Sequence, residues 1–368
     1  MLDRTSQRHQ ALERVARHIV DLPNARIIVP ADRTEPGSWF GGGNMWQAPD
    51  GALYLVGRYR NPGDSRTGVA AGTRGFALAA FRSTDGGGTF EKIWQLDKEH
   101  LSPENEPVVS IEGAALFASP SGVELLVSSE KGTRSYPESV ASFQKPGTGV
   151  WTIDRLAASS VESLPESSIE PLLWSDDEAY LHVKDPFFVS SRQGSTWLGV
   201  CTHPFGWSSS NTVMLPYTPG DASPSLAEGI VLPRGAAWDV AITRVTSMVD
   251  LAWFGLSEAD DGEPAEFLVF YDGGECVRDH EQHPSGVHRP RGFSCEELAG
   301  IALWREGSGE LERISRLVPA FVSPHGTGCC RYVDVLRSQE GSFATWQQAA
   351  EDGSQPLMFH STAPNTRT

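Results

Sequence analysis

A pattern of short strand, turn, short strand, loop, short strand, turn, short strand repeats five times along this chain of 368 residues. Such a unit cannot bury both of its faces alone, so copies must stack and share a core. The first unit reads Met45–Ala48, Ala52–Tyr59, Phe76–Arg82 and Glu91–Leu96, with turns at Pro49-Asp50-Gly51 and Asp85-Gly86-Gly87-Gly88. The second runs from IEGAALFAS through VELLVSSEK to GVWTIDRLA, and the third from VKDPFFVSS through TWLGVCTHP to NTVMLPY and GIVLP. WDVAITRV, VDLAWFGL, EFLVFYDG, LAGIALWRE and ELERISRLV make the fourth. CRYVDVLRS, FATWQQ and PLMFH make the fifth, which is one strand short, and Arg26–Val29 at the other end can supply it. A ring closed this way leaves no long sheet edge exposed. The expected fold is all-β: a five-bladed β-propeller over residues 26–368, closed by an N-terminal strand, with residues 1–25 as a short helical cap. Two stacked β-sandwiches are the competing arrangement.

The 37 glycines and 25 prolines suit many tight turns and weigh against a helical fold. Only Gln7–Asp21 has helical spacing, through Leu12, Val15, Ile19 and Val20. Thirty Lys and Arg against 47 Asp and Glu leave a net charge of −17. That balance argues against nucleic acid and anionic membrane as partners, since both need a basic surplus. No apolar run reaches membrane-spanning length. The five cysteines, two of them adjacent at Cys329-Cys330, resemble neither a disulfide framework nor a CxxC metal motif. Residues 1–19 have no apolar stretch of the secretory kind. A cytoplasmic protein without metal or cofactor is expected.

Unequal unit lengths point to inserted loops, and two stand out: Asn61–Gly75 and Gly273–Leu298, both between a second and a third strand. Long loops at one mouth of a scaffold are a usual seat of function. Ser83-Thr84-Asp85-Gly86-Gly87-Gly88-Thr89-Phe90 resembles the Asp box of sialidase-type propellers, a structural turn. Asp85 can bond the backbone across it, and the glycines allow positive φ.

Ile111-Glu112-Gly113, Lys184-Asp185-Pro186 and Trp238-Asp239-Val240 fall on the first strands of successive units. This arrangement resembles the five-bladed propeller glycosidases: arabinofuranosidases, β-xylosidases and invertase-like enzymes. Lys184-Asp185-Pro186 is similar to their (R/K)-D-P element. The resemblance implies a funnel that collects one acid per inner strand, with Asp185 carried over as a catalytic residue from the matching element; Glu112 and Asp239 join it as catalytic candidates on position alone. The departure is in the first unit, where Asn44-Met45-Trp46-Gln47 carries no acid.

Glycoside cleavage needs a proton donor and a base or nucleophile, usually two carboxyl groups. Burial and neighbouring like charge are expected to raise the pKa of one of the acids here. Arg58, Arg60, Arg66, Arg74, Arg244, Arg289, Arg291 and Arg331 lie near strand ends or inserts, where guanidinium forks could read a carboxylate or phosphate. His203, next to Trp207 and a Ser-rich run, is the best histidine candidate; His182 and His325 are weaker. Trp46, Trp207, Trp238 and Trp346 are candidates for stacking on sugar rings. Expected substrate contacts are therefore Trp46, Arg58, His203, Trp207, Arg291, Arg331 and Tyr332. Tyr332, after Arg331, also suits a sialidase-like nucleophile. A glycoside hydrolase acting on short oligosaccharides is the leading reading. A glycoside phosphorylase, a sialidase-like enzyme, a lyase and a non-catalytic sugar-binding propeller are the alternatives.

Overall fold

In the computed structural model the described residues are 4–61, 74–144, 148–203, 210–221, 224–226, 229–257, 263–274, 297–309, 311–326, 328–339 and 341–363. They form five antiparallel sheets and one N-terminal α-helix, Arg4–Ile19. In chain order, the first sheet holds Trp39–Gly41 and Met45–Gln47, then Leu53–Arg60, Ala77–Ser83 and Glu91–Asp97. The second holds Val108–Ser119, Gly122–Lys131, Val150–Ala158 and Glu170–Leu173. The third holds Lys184–Ser190, Thr196–Thr202, Asn211–Pro216 and Ile230–Leu232. The fourth holds Ile242–Asp250, Glu266–Gly274, Leu298–Arg305 and Glu312–Arg313. The fifth holds Cys330–Ser338, Gly341–Gln348 and Leu357–Thr362, and its outer strand is Arg26–Val29, paired with Leu357–Thr362.

Burial follows the order within a sheet. Second strands such as Leu53–Arg60 and Gly341–Gln348 are buried along their whole length, whereas the outer strand Glu91–Asp97 is mostly exposed. The first strands of consecutive sheets contact one another in turn, and that of the fifth contacts that of the first. Hydrogen bonds mark the same circuit. Ala114 N donates to Gly42 O at 2.8 Å, Thr246 Oγ1 to Val333 O at 2.7 Å, and Met45 N to Asp334 Oδ2 at 2.8 Å. The helix lays Leu12, Ala16 and Ile19 on a core shared by the fourth and fifth sheets, with Leu268, Phe270 and Trp346.

The turn at Ser83–Thr89 behaves as its residues dictate. Asp85 accepts from Ser83 Oγ at 2.8 Å, from Thr89 N at 2.9 Å and from Thr89 Oγ1 at 2.8 Å. These bonds hold the Asp85 carboxyl down at about 2. Gly87 then lies against the Phe359 ring, too close for a side chain, and its carbonyl accepts from Arg26. The turn thereby ties the first sheet to the strand pair that joins the two ends of the chain.

The fourth unit departs from expectation. Its inner strand is Ile242–Asp250, not one beginning at Trp238, and Leu251–Phe254 is a 3₁₀ turn instead of a strand. Gly235 N donates to Asp239 O across a turn, so the chain at Asp239 has not yet entered the sheet.

Candidate functional site

Four of the inner strands break register at corresponding places: Ile111/Ala114, Lys184/Phe187, Val245/Ser247 and Arg331/Asp334. The fifth, in the first sheet, is interrupted between Gly41 and Met45. A bulge re-aims the side chain it carries. Here three of the bulges carry Glu112, Asp185 and Tyr332, and Arg244, in register with Asp272 just before the fourth, reaches the same place. Asp185 and Tyr332 hold positive φ values of 50° and 52°, a strain of about 1–3 kcal/mol each for residues with a side chain. Neighbouring bonds enforce them: Asp185 N donates to Ser128 Oγ at 3.1 Å, and Tyr332 N to Asp272 Oδ1 at 3.0 Å. Gly113 is required for the approach of the second sheet to the third. A Cβ on it would meet Asp185 Oδ1 at 2.6 Å, and its own N–H donates to that oxygen at 2.9 Å.

The result is a buried ionic network. Arg244 Nη1 reaches Asp185 Oδ2 at 3.1 Å, and its Nη2 reaches Asp272 Oδ2 at 2.6 Å and Glu297 Oε2 at 3.0 Å. Arg331 pairs with Glu297. Arg58 Nη2 lies 3.3 Å from Glu112 Oε2 and 3.4 Å from Tyr332 Oη. Lys184 Nζ stands between the two inner-strand acids, 4.0 Å from Glu112 and 3.9 Å from Asp185. Tyr332 Oη is 3.4 Å from Asp185 Oδ1, and the Arg244 guanidinium lies 4.0 Å over the Tyr332 ring.

Electrostatics run opposite to the sequence expectation for the acids. Burial pushes the Glu112 carboxyl up, but Lys184, Arg58, Arg60 and Arg74 outweigh it and hold the group well below the usual range. Asp185 follows the same logic: burial raises it, and Lys184, Arg244 and Arg58 bring it lower. Both are carboxylates at neutral pH because cations, not like charges, are their nearest neighbours. Burial lifts Asp272 to about 6 against the pull of Arg244, and its oxygens are taken up by Arg244 and the Tyr332 N–H. The Tyr332 phenol, pushed by burial to about 12, is a neutral donor.

The site sits near the sheet edge where inner strands begin and second strands end, as the pairs Lys184↔Cys201 and Ile242↔Gly274 show. Both long inserts leave from this edge. On its other side a cavity of about 300 Å³ runs along the inner strands, from Asp185, Arg244 and Tyr332 to Asp250, Trp253 and Arg337.

Of the expected residues, Glu112, Asp185, Arg58, Arg331 and Tyr332 come together. Asp239 does not: it is fully buried outside the sheet, bonded to Arg313 Nε at 2.7 Å and Tyr271 Oη at 3.3 Å. The inner-strand position expected for it is held by Arg244. Trp46 lines the cavity and packs against Tyr54. Trp238 and Trp346 are buried, with Nε1 donating to Ser315 O and Gln348 Oε1 respectively. His203 follows the strand Thr196–Thr202, 4.0 Å from Cys201 Sγ and facing His182, whose imidazole burial drives down to about 3. His325 lies 3.6 Å from Glu351, away from the network. Trp207, Arg291, Arg66 and Arg289 lie outside the described residues. Lys184, Asp272 and Glu297 are the functional candidates that residue patterns missed. An acid directly after the apolar run Phe267–Tyr271, within the strand Glu266–Gly274, was the available signal for Asp272.

No family model and no curated protein matches the sequence. Solved structures do match in fold. A family-43 enzyme (GH43_1) from Xanthomonas citri complexed with xylotriose is 9% identical, with a TM-score of 0.55, over 97% of this chain and 93% of its own. An α-L-arabinofuranosidase from Lactobacillus brevis is 9% identical, with a TM-score of 0.53, over 90% and 92%. A thermostable family-43 glycoside hydrolase is 9% identical, with a TM-score of 0.55, over 91% and 92%.

Proposed function

We propose that the chain is a glycoside hydrolase acting on short oligosaccharides, and that its five sheets are the blades of one closed five-bladed β-propeller. Arg26–Val29 completes the last blade, and residues 1–25 cap it. The observation that carries the activity is the pair Glu112 and Asp185. They come from neighbouring inner strands and lie 4.0 and 3.9 Å from one ammonium, Lys184 Nζ. That confines the facing oxygens to within about 8 Å of each other, a bound compatible with the carboxyl pairs of glycoside hydrolysis. The shared fold with glycoside hydrolases, one of them holding xylotriose, supports a sugar substrate.

Asp185 stays ionised, because Arg244 and the Gly113 N–H hold its oxygens. It serves as the base or nucleophile. Glu112 takes up a proton as the sugar displaces solvent and its cations re-pair, and returns it to the leaving oxygen. Arg58 and Tyr332 position both groups. The buried thiols Cys201 and Cys330 fit a reducing, cytoplasmic setting.

The test is turnover of a broad oligosaccharide panel, with and without phosphate, followed by mass spectrometry. A product that has gained water, lost in Asp185→Asn, is expected. Strict phosphate dependence would replace hydrolysis with phosphorolysis, an unsaturated product would indicate a lyase, and binding without turnover would leave a sugar-binding propeller.

A further inference from the structure

The cations of the site are not equally engaged. Arg244 meets three carboxylates at 2.6 to 3.1 Å, and Arg74 meets Glu130 at 2.8 Å. Arg58 is only 2% exposed, yet its contacts are all long: Glu112 at 3.3 Å, Tyr332 Oη at 3.4 Å and Gly41 O at 3.5 Å. Its Nε has no partner among the described residues. Lys184 Nζ stands near both acids at distances beyond a hydrogen bond. A buried guanidinium left short of acceptors is strongly destabilising. A chain of net charge −17 has no shortage of carboxylates with which to pair it. Two under-coordinated cations flanking one acid, Glu112, form a receptor for an anion.

We propose that the sugar bound here carries a carboxylate, that of a uronic acid residue, received by Arg58 and Lys184. This rests on the hydrolase reading of the same site. A planar carboxylate takes two parallel N–H groups from one edge of a guanidinium, and the Nε edge of Arg58 pairs an unpartnered Nε–H with an Nη2 held only by the long contacts to Glu112 and Tyr332. Glu112 stands beside that edge, so a monoanion meets less repulsion than a phosphate dianion. Occupancy also supplies what the free site lacks. Lys184 and Arg58 are the foremost of the four cations that hold Glu112 ionised. Once they turn to the substrate, Glu112 binds a proton more readily, so the acid forms when an anionic sugar arrives.

The experiment is calorimetric titration of the full chain with glucuronic and galacturonic acid, their methyl esters, glucose and galactose, and inorganic phosphate. A uronic acid should bind, and its methyl ester and the matching hexose should bind about tenfold more weakly or not at all. Lys184→Gln should weaken uronate binding about tenfold, and Lys184→Arg should largely restore it. The ester changes only the ligand, so the result stands even where Lys184→Gln does not fold. Equal binding of hexose and uronate, binding of phosphate alone, indifference to Lys184→Gln, or no sugar binding would each overturn the inference. Neutral oligosaccharides hydrolysed without uronate binding would sink this inference and keep the hydrolase. Uronate binding with no turnover of uronate-bearing oligosaccharides would do the reverse.

Discussion

Asp185 is fixed by a strained backbone, a glycine that admits it and a guanidinium that keeps it charged. Asp185→Asn preserves the shape and removes the charge. Turnover per folded molecule should fall by about 10²–10⁴-fold, read by single-turnover assay, while a thermal scan registers the loss of its buried pair with Arg244. Asp239→Asn should change stability alone. It breaks a buried pair with Arg313, costing about 3 kcal/mol of stability, with turnover per folded molecule unchanged. Asp334 adds a pH signature. Burial raises its carboxyl from 3.8 to about 7, although Met45 N donates to it. The folded state therefore binds this proton more tightly than the unfolded state. The advantage is complete below pH 3.8 and is lost as pH rises to about 7. Asp334→Asn keeps an acceptor for Met45 N and should raise the unfolding free energy at pH 8 by about 2–4 kcal/mol, with little effect at pH 4. Urea melts at the two pH values check it. Glu112, Asp185, Arg331 and Tyr332 were legible in the sequence because each sits on an inner strand that pattern alone delimits. Asp272 and Glu297 were not, because they flank an insert and reach the site only through three-dimensional closure.

At the scale of elements, strands and turns were readable wherever Gly or Pro punctuates them. Met45–Ala48 was expected and Met45–Gln47 is present; Glu91–Leu96 was expected and Glu91–Asp97 is present. The fourth inner strand was misread because Trp238–Val245 is rich in apolar and β-branched residues, as strands are. What decides the matter is long-range: Asp239 is held by Arg313, and Ile242 is the first residue paired to Gly274. The bulges were invisible for the same reason, since register is a property of two strands. The helix was legible from its spacing, and its partner surface was not. Leu12 is 1% exposed within the core of the fourth and fifth sheets. Leu12→Ala should cost about 3 kcal/mol and lower the thermal midpoint, with turnover unaffected. A loss of turnover at unchanged stability would instead tie the helix to the site.

For the whole molecule the decisive step is how its two ends meet. Arg26 pairs with Phe359, its guanidinium lies 5.0 Å over that ring, and it donates to Gly87 O in the first sheet. Gln355 N donates to Ser38 O at 2.9 Å, and Phe40 N to Gln355 O at 3.0 Å. First and last sheets are thus joined by backbone at one place and by the Asp85 turn at another. Removing residues 1–29 deletes no member of the ionic network, yet it bares the edge of Leu357–Thr362 and the surface under the helix. An uncovered edge recruits other chains. Loosening the contact between the first and fifth sheets would also separate Arg58, on Leu53–Arg60, from Tyr332, which lie 3.4 Å apart. The truncated chain should therefore associate in light scattering, melt without a sharp transition and lose uronate binding together with turnover. A monomer that melts as the full chain does would mean that the sheets hold their circuit without the closing strand. The funnel would then owe its geometry to the inner strands alone.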